Sequence, residues 1–247
     1  MLIKKAHLER LKKEGYSTRE IKAIESGTSQ NAVAQVKKIR EALQKDPVLR
    51  KRFRDKIIRF RREHERTWIK NRGYDNYNRL FRHVLGMPLI DFLTKKAGSK
   101  KQLSVLDDGA GLGVFLRDIK TKLREQKIDV KTDAVVLQRS PHLVEMDNIY
   151  EGPSEFFLTN KKYDAIFSYY GSMHYTERWA IKNQLIKFTN LLNRGGVALI
   201  GVDFIGLRIP PLLDQMKRQF AKQGFELTYK PHYVADEPSD ILMIRRL

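Results

Sequence analysis

The chain contains no cysteine, only 2 Trp and 8 Pro among its 247 residues, and 29 Asp plus Glu against 48 Lys plus Arg. The missing cysteine excludes disulfide frameworks, thiolate zinc or iron–sulfur sites and any cysteine nucleophile. No apolar run approaches the ~20 residues of a membrane span. The opening MLIKKAHLERLKKEGY lacks the apolar stretch of a secretory signal and carries too many Glu for a transit peptide. A soluble protein of the cytoplasm is expected, with no membrane partner and no metal. The shortage of acids leaves a formal charge of +19, and an excess of that size points to a polyanion partner, most often nucleic acid.

The excess is unevenly placed. Residues 1–72 hold 22 Lys plus Arg and 9 acids, a net of +13, whereas residues 73–247 hold 26 and 20, a net of +6. From Arg50 to Arg72 there are 11 basic and 3 acidic residues. Phe53, Ile57 and Phe60 recur there at helical spacing, and Trp68 continues the stripe beyond His64. This pattern predicts a basic amphipathic helix over residues 49–72, with Arg54, Arg61 and Arg62 as candidate phosphate contacts.

Residues 1–48 read as a module of three short helices. Leu2, Ala6, Leu8 and Leu11 mark the first, and Gly15 is placed to stop it. Ser17 with Glu20 forms a capping box opening the second. After Gly27, Ser29 caps a third that carries Val33, Val36, Ile39 and Leu43. The string GYSTREIKAIESGTSQNAVAQVKKIREAL resembles a helix-turn-helix, whose recognition helix would expose Gln30, Asn31, Gln35, Lys37 and Lys38. The interval from Ile21 to Val33 is one residue longer than the usual pattern, so a plain three-helix cap stands beside the groove-reading unit.

From Leu103 the pattern becomes an alternation of short apolar runs and helical stretches, the mark of an α/β sheet. The runs are LSVL, AVVL, AIFS and VALIGV, then FELTY and DILMIRR. Helices are expected after Gly113, after Pro141, over Trp179–Leu192 and over Pro211–Gln223. The segment RGYDNYNRLFRHVLGMPLIDFL fits a helix beside the sheet; for its Tyr74 and Tyr77, packing and stacking on a ligand are both open.

Between the first run and the first helix lies VLDDGAGLGVF, in which Asp107, Gly109, Gly111 and Gly113 form D-x-G-x-G-x-G. Glycines allow a tight turn and close approach of backbone to ligand, and the position at a strand–helix junction makes the motif informative. Two aspartates at the start of the loop suit an ammonium-bearing ligand better than a pyrophosphate, which needs the helix N-terminus clear of negative charge.

These residues resemble the class I S-adenosylmethionine-dependent methyltransferases, over about 145 residues. QRSPHLVE, KYDAIFSYYGSMHY, LLNRGGVALIGV and GFELTY are similar to the family's second-strand, fourth-strand, fifth-strand and sixth-strand segments. The resemblance implies a seven-stranded Rossmann-like sheet with its last strand antiparallel, occupying residues 73–247, with S-adenosyl-L-methionine as cofactor across the strand tips. It implies that Gly109, Ala110, Gly111 and Gly113 wrap the methionyl part, that Asp107 faces its amino group, and that Ser168 and Tyr169 border the sulfonium and the acceptor. Gln138 stands where the family usually has an acid for the ribose hydroxyls, and an amide supplies only part of that acceptance. Pro153 stands where an acid often lies beside the adenine, with Ser154 or Glu155 as substitutes.

The tip SYYGSMHY is unlike the Asn/Asp-Pro-Pro-Tyr of amino-group methylases acting on nucleic-acid bases. It leaves His174 as candidate base, with Tyr169 as a positioning group. The expected function is methyl transfer to a nucleic acid, RNA ahead of DNA, docked by residues 1–72. A small-molecule or protein acceptor is the alternative, as is a non-enzymatic nucleic-acid-binding protein with a degenerate site.

Overall fold

A computed structural model of the chain describes residues 72–136, 146–151, 159–169, 178–202, 210–234 and 237–247, with Pro47, Ser154, Phe157 and Gly171 as isolated positions. The helical module and basic helix expected over residues 1–72, and the helix expected after Pro141, therefore lie outside the described residues, apart from Pro47 and Arg72.

The sheet sits at the centre. Its strands are β1 (Gln102–Asp108), β2 (Asp129–Val136), β3 (Asn148–Glu151), β4 (Tyr163–Tyr169), β5 (Leu192–Val202), β6 (Phe225–Val234) and β7 (Glu237–Arg246), in the order β3-β2-β1-β4-β5-β7-β6. β1 pairs in parallel with β2 from Gln102↔Asp129 to Asp108↔Val135, and with β4 at Val105↔Ala165. Only β7 runs against its neighbours β5 and β6. The helices are α1 (Tyr74–Leu85), α2 (Leu89–Ala97), α3 (Val114–Glu125), α4 (Arg178–Leu191) and α5 (Pro210–Ala221).

Both faces of the sheet are covered, which is why its inner strands read as near-continuous apolar runs. Alternate residues serve opposite layers. Val197, Leu199, Ile241 and Met243 pack with α1, α2 and α3, while Ala198, Ile200, Leu242 and Ile244 pack with α4 and α5. In α3 the buried residues Phe115, Leu116, Ile119 and Leu123 form one stripe at helical spacing. Among the described residues no helix is long and apolar enough to cross a membrane.

The segment expected to form one helix before the sheet is two. Gly86 adopts φ 70° and donates its N–H to the Arg82 carbonyl at 2.8 Å, ending α1; Pro88 then stands at the start of α2. A left-handed glycine followed two residues later by proline is a strong stop, and Asn78 reinforces the corner by accepting the Leu89 N–H at 2.8 Å.

Candidate active site at the carboxyl edge of the sheet

The carboxyl ends of β1, β2 and β4 meet along one edge, and the glycine loop leaves from the middle of it. Gly109 and Ala110 donate their N–H groups to the Val135 carbonyl at 2.9 and 3.2 Å, tying the loop to the end of β2. The Gly113 N–H closes the turn on Ala110 at 2.8 Å. All three loop glycines are left-handed, at φ 99°, 56° and 73° for Gly109, Gly111 and Gly113. A Cβ on Gly111 would meet nothing within 4 Å, so the loop presents bare backbone to open space there.

Asp107 lies behind this loop with none of its surface exposed. Both of its carboxylate oxygens face the Tyr77 hydroxyl of α1, at 3.2 and 3.0 Å. Tyr77 is held flat against Phe115 of α3, with ring centroids 3.6 Å apart and planes 4° from parallel. Its other neighbours, Phe81, Phe167 and Tyr169, meet it edge-on. Burial pushes the Asp107 carboxyl up to about 8; the Tyr77 hydrogen bond and the Arg72 charge oppose that rise, and the charge of Asp108 adds to it. Tyr77 itself is pushed well above its ordinary value by burial and by Asp107. Tyr74 packs similarly: it is buried, and its hydroxyl accepts the Ile90 N–H at 3.2 Å. Both tyrosines left open by the sequence thus pack on the core, and Tyr77 also partners the loop's acid.

Tyr169, at the end of β4, is buried in the same aromatic group. Arg72 donates to its carbonyl at 3.3 Å and lays its guanidinium 4.9 Å from the ring centroid. The adjacent Ser168 is fully buried, and its hydroxyl has no hydrogen-bond partner among the described residues. Gly171 lies against this corner: a Cβ there would fall 2.0 Å from the Asp108 carbonyl and 2.8 Å from the Ser168 Oγ. Only glycine lets the chain leaving β4 pass so close to the end of β1.

Asp108 faces the opposite layer. Its Oδ2 accepts from the Ser154 hydroxyl at 2.8 Å and from Gln184 of α4 at 3.0 Å, and Gln184 also donates to Ser154 at 2.7 Å. Lys187, one turn on, donates to the Ser154 hydroxyl at 3.0 Å and to its carbonyl. Desolvation pulls the Lys187 ammonium down to about 8, against the attraction of Asp108. The Ser154 hydroxyl is therefore engaged in this buried network.

The edge brings together Asp107, Gly109, Ala110, Gly111, Gly113, Ser154, Ser168 and Tyr169. His174, Gln138 and Glu155 lie outside the described residues, as do Gln30, Asn31, Lys37, Lys38, Arg54, Arg61 and Arg62. Sequence reasoning did not single out Gln184 or Lys187. The signal for Gln184 was a polar residue on the stripe formed by Ile181, Leu185 and Phe188, all fully buried. The arrangement sets an open backbone turn in front of a buried carboxyl, with a buried hydroxyl at the neighbouring strand tip.

No protein-family model matches the chain. Malonyl-[acyl-carrier protein] O-methyltransferase 1 of Ilyobacter polytropus is 31% identical over 136 residues, covering 50% of this chain and 45% of the relative. The chain thus spans less than half the length of the curated relative it matches. Among solved structures, 1,6-didemethyltoxoflavin-N1-methyltransferase of Burkholderia thailandensis, with 1,6-didemethyltoxoflavin and S-adenosylhomocysteine bound, superimposes with a TM-score of 0.50 at 16% identity, over 80% of this chain and 88% of that one. Magnesium protoporphyrin IX methyltransferase of Synechocystis PCC 6803, with S-adenosylmethionine bound, gives 0.45 at 11% identity over 75% and 90%. The seven-stranded sheet, with its last strand antiparallel, is the Rossmann-like class I methyltransferase fold.

Proposed function

We propose that the protein is an S-adenosylmethionine-dependent methyltransferase acting on nucleic acid, RNA ahead of DNA, with residues 1–72 as the docking region and residues 73–247 as the methyl-transferring domain. The observation that carries the cofactor reading is the glycine loop, whose backbone at Gly111 opens to space between a carboxyl-bearing strand tip and a helix start. The residues fit the cofactor: Asp107 matches a cationic amino group, the Gly109–Gly113 turn admits close approach, and the Ser168 hydroxyl, without a hydrogen-bond partner among the described residues, supplies a polar contact at the tip of β4.

When bound, the cofactor supplies a methyl group on a sulfonium, open to in-line displacement, so the protein's tasks are alignment and removal of a proton where the acceptor requires it. Asp107 and the loop fix the amino-acid end. Gln138 serves the ribose and accepts only part of what a carboxylate would. With the Ser154 hydroxyl given to Asp108, Glu155 is the remaining side chain proposed beside the adenine. Tyr169 shapes the acceptor side as a buried ring, and His174 is assigned the proton.

The charge of residues 1–72, +13 of the chain's +19, supports a polyanionic acceptor. A second reading, a protein or small-molecule acceptor, has support in the relative named for malonyl-[acyl-carrier protein]. One experiment separates them: the protein is incubated with methyl-labelled cofactor and total cell extract, and the extract is fractionated. Label in RNA or DNA is the expected result. Label in protein or small molecules alone overturns the nucleic-acid assignment, and no label in any fraction overturns the activity.

A further inference from the structure

The described core carries its own concentration of positive charge, at the edge of the sheet opposite the glycine loop. Neighbouring strands β2, β1, β4 and β5 begin there, and each is preceded or opened by exposed cations: Lys127 before β2, Lys100 and Lys101 before β1, Lys161 and Lys162 before β4, and Arg194 in the irregular start of β5. The backbone fixes their bases. The Asp129 N–H donates to the Lys101 carbonyl at 2.8 Å, and the Ser104 hydroxyl donates to the Lys162 carbonyl at 3.2 Å. Lys162 in turn donates to the Asn190 carbonyl.

Nearby acids offset only part of this row. Asp133 pairs with Lys161 at 2.8 Å and takes that one cation out of it, Glu226 pairs with Arg245 at 3.5 Å, and Asp164, held by the neutral donors Ser104 and Asn193, keeps its charge. Glu125 and Asp129 are the exposed acids on this edge without an ion pair among the described residues, whereas Lys100, Lys101, Lys127 and Arg194 all lack a carboxylate partner there. Leu247, the one large hydrophobic side chain exposed among the described residues, stands on this edge only at the end of β7, beyond β5, so the row over β2, β1, β4 and β5 exposes none. That argues against an acyl or protein-core contact.

We infer that this amino edge is an anchoring surface for the phosphate backbone of a nucleic acid, separate from the methyl-transfer edge. Four strands at about 4.8 Å spacing set the cations over ~14 Å, long enough to contact successive phosphates of one strand. The seven residues of β1, at about 3.3 Å each, hold this row roughly 20 Å from the glycine loop. A nucleic acid seated here is held rather than presented, and a long acceptor reaches the carboxyl edge only by wrapping around the domain. The inference stands independently of methyl transfer.

The test uses the full chain and a fluorescein-labelled 20-nucleotide poly(U) RNA, with binding followed by anisotropy across a salt series. The variant Lys101→Gln/Lys127→Gln/Arg194→Gln should weaken binding by about tenfold or more at ~0.1 M salt and make the slope of log K against log salt about 2 shallower, at ~0.7 per lost phosphate contact. Its thermal melting and its affinity for S-adenosylmethionine should match the parent, which separates failure here from failure of the cofactor reading. Lys217→Gln/Arg218→Gln/Lys222→Gln, three exposed cations on and just after α5, controls for net charge. Three results overturn the inference: no salt-dependent RNA binding by the parent, an unchanged slope in the amino-edge variant, or an equal loss in the α5 control.

Discussion

A buried acid held near pH 8 makes cofactor binding a proton-release reaction. In the free protein Asp107 is sealed by Tyr77, and burial raises its carboxyl to about 8. A cationic amino group at Asp107 favours the ionised form, so the complex binds fewer protons than the free protein and affinity rises with pH. At pH 7 a group titrating at about 8 is roughly 90% protonated, so binding should release ~0.9 proton. Calorimetry in buffers of different ionisation enthalpy reads that number directly. The dissociation constant should fall about tenfold for each pH unit up to ~8 and then level off.

The same group has the opposite sign for folding. Its folded value lies above its unfolded value of 3.8, so the folded state holds the extra proton between about pH 4 and pH 8 and its stability falls as pH rises through that window. The window is about 4 units wide at about 1.4 kcal/mol each, which sets a ceiling of ~6 kcal/mol. Asp107→Asn, which still accepts from Tyr77, should recover part of this, on the order of 1–3 kcal/mol or roughly 3–10 °C in melting temperature at pH 8, while losing cofactor affinity. Cofactor binding that is independent of pH between 6 and 8, together with an Asp107→Asn variant no more stable than the parent, would refute the reasoning.

Three further outcomes follow from other residues. Gly171→Ala puts a methyl group 2.0 Å from the Asp108 carbonyl, so chemical denaturation should show a loss of at least about 2 kcal/mol. Asp147 is held at about 2 by hydrogen bonds from Lys120 and Thr132 that outweigh its partial burial; its stabilisation is complete above pH ~4 and lost as pH falls towards 2. Asp147→Asn should therefore flatten the acid limb of the stability profile, an effect kept small by the side chain's 39% exposure. Gln138→Asp should tighten cofactor binding severalfold in a direct titration, and weaker binding would remove residue 138 from the ribose.

The parts legible in the sequence were those with local causes. The glycine loop announces itself because a strand tip, an acid and three left-handed glycines crowd into one short stretch, and the alternating layers of β5 and β7 follow from unbroken apolar runs. The break between α1 and α2 was also written locally, in Gly86 and Pro88, but the helical periodicity on either side hid it. Strand β3, four residues long and not fully buried, had no apolar run to mark it. The Tyr77–Asp107 contact joins residues 30 apart, and the Gln184–Asp108 contact joins residues 76 apart. No spacing rule reaches across those distances. The core's modest positive excess was countable from the sequence, yet its collection along one edge depends on the strand order β2-β1-β4-β5, which only the fold supplies.

The most direct test of the cofactor site is a titration of the protein and of Gly111→Arg with S-adenosylmethionine, side by side. Gly111 faces open space, so the arginine fills the cradle at a backbone cost of about 1–2 kcal/mol for its left-handed φ, too little to unfold the domain. Saturable binding of one cofactor per chain, abolished in the folded Gly111→Arg variant, is the predicted result. Absence of binding by the folded parent, or equal binding by the variant, would contradict it.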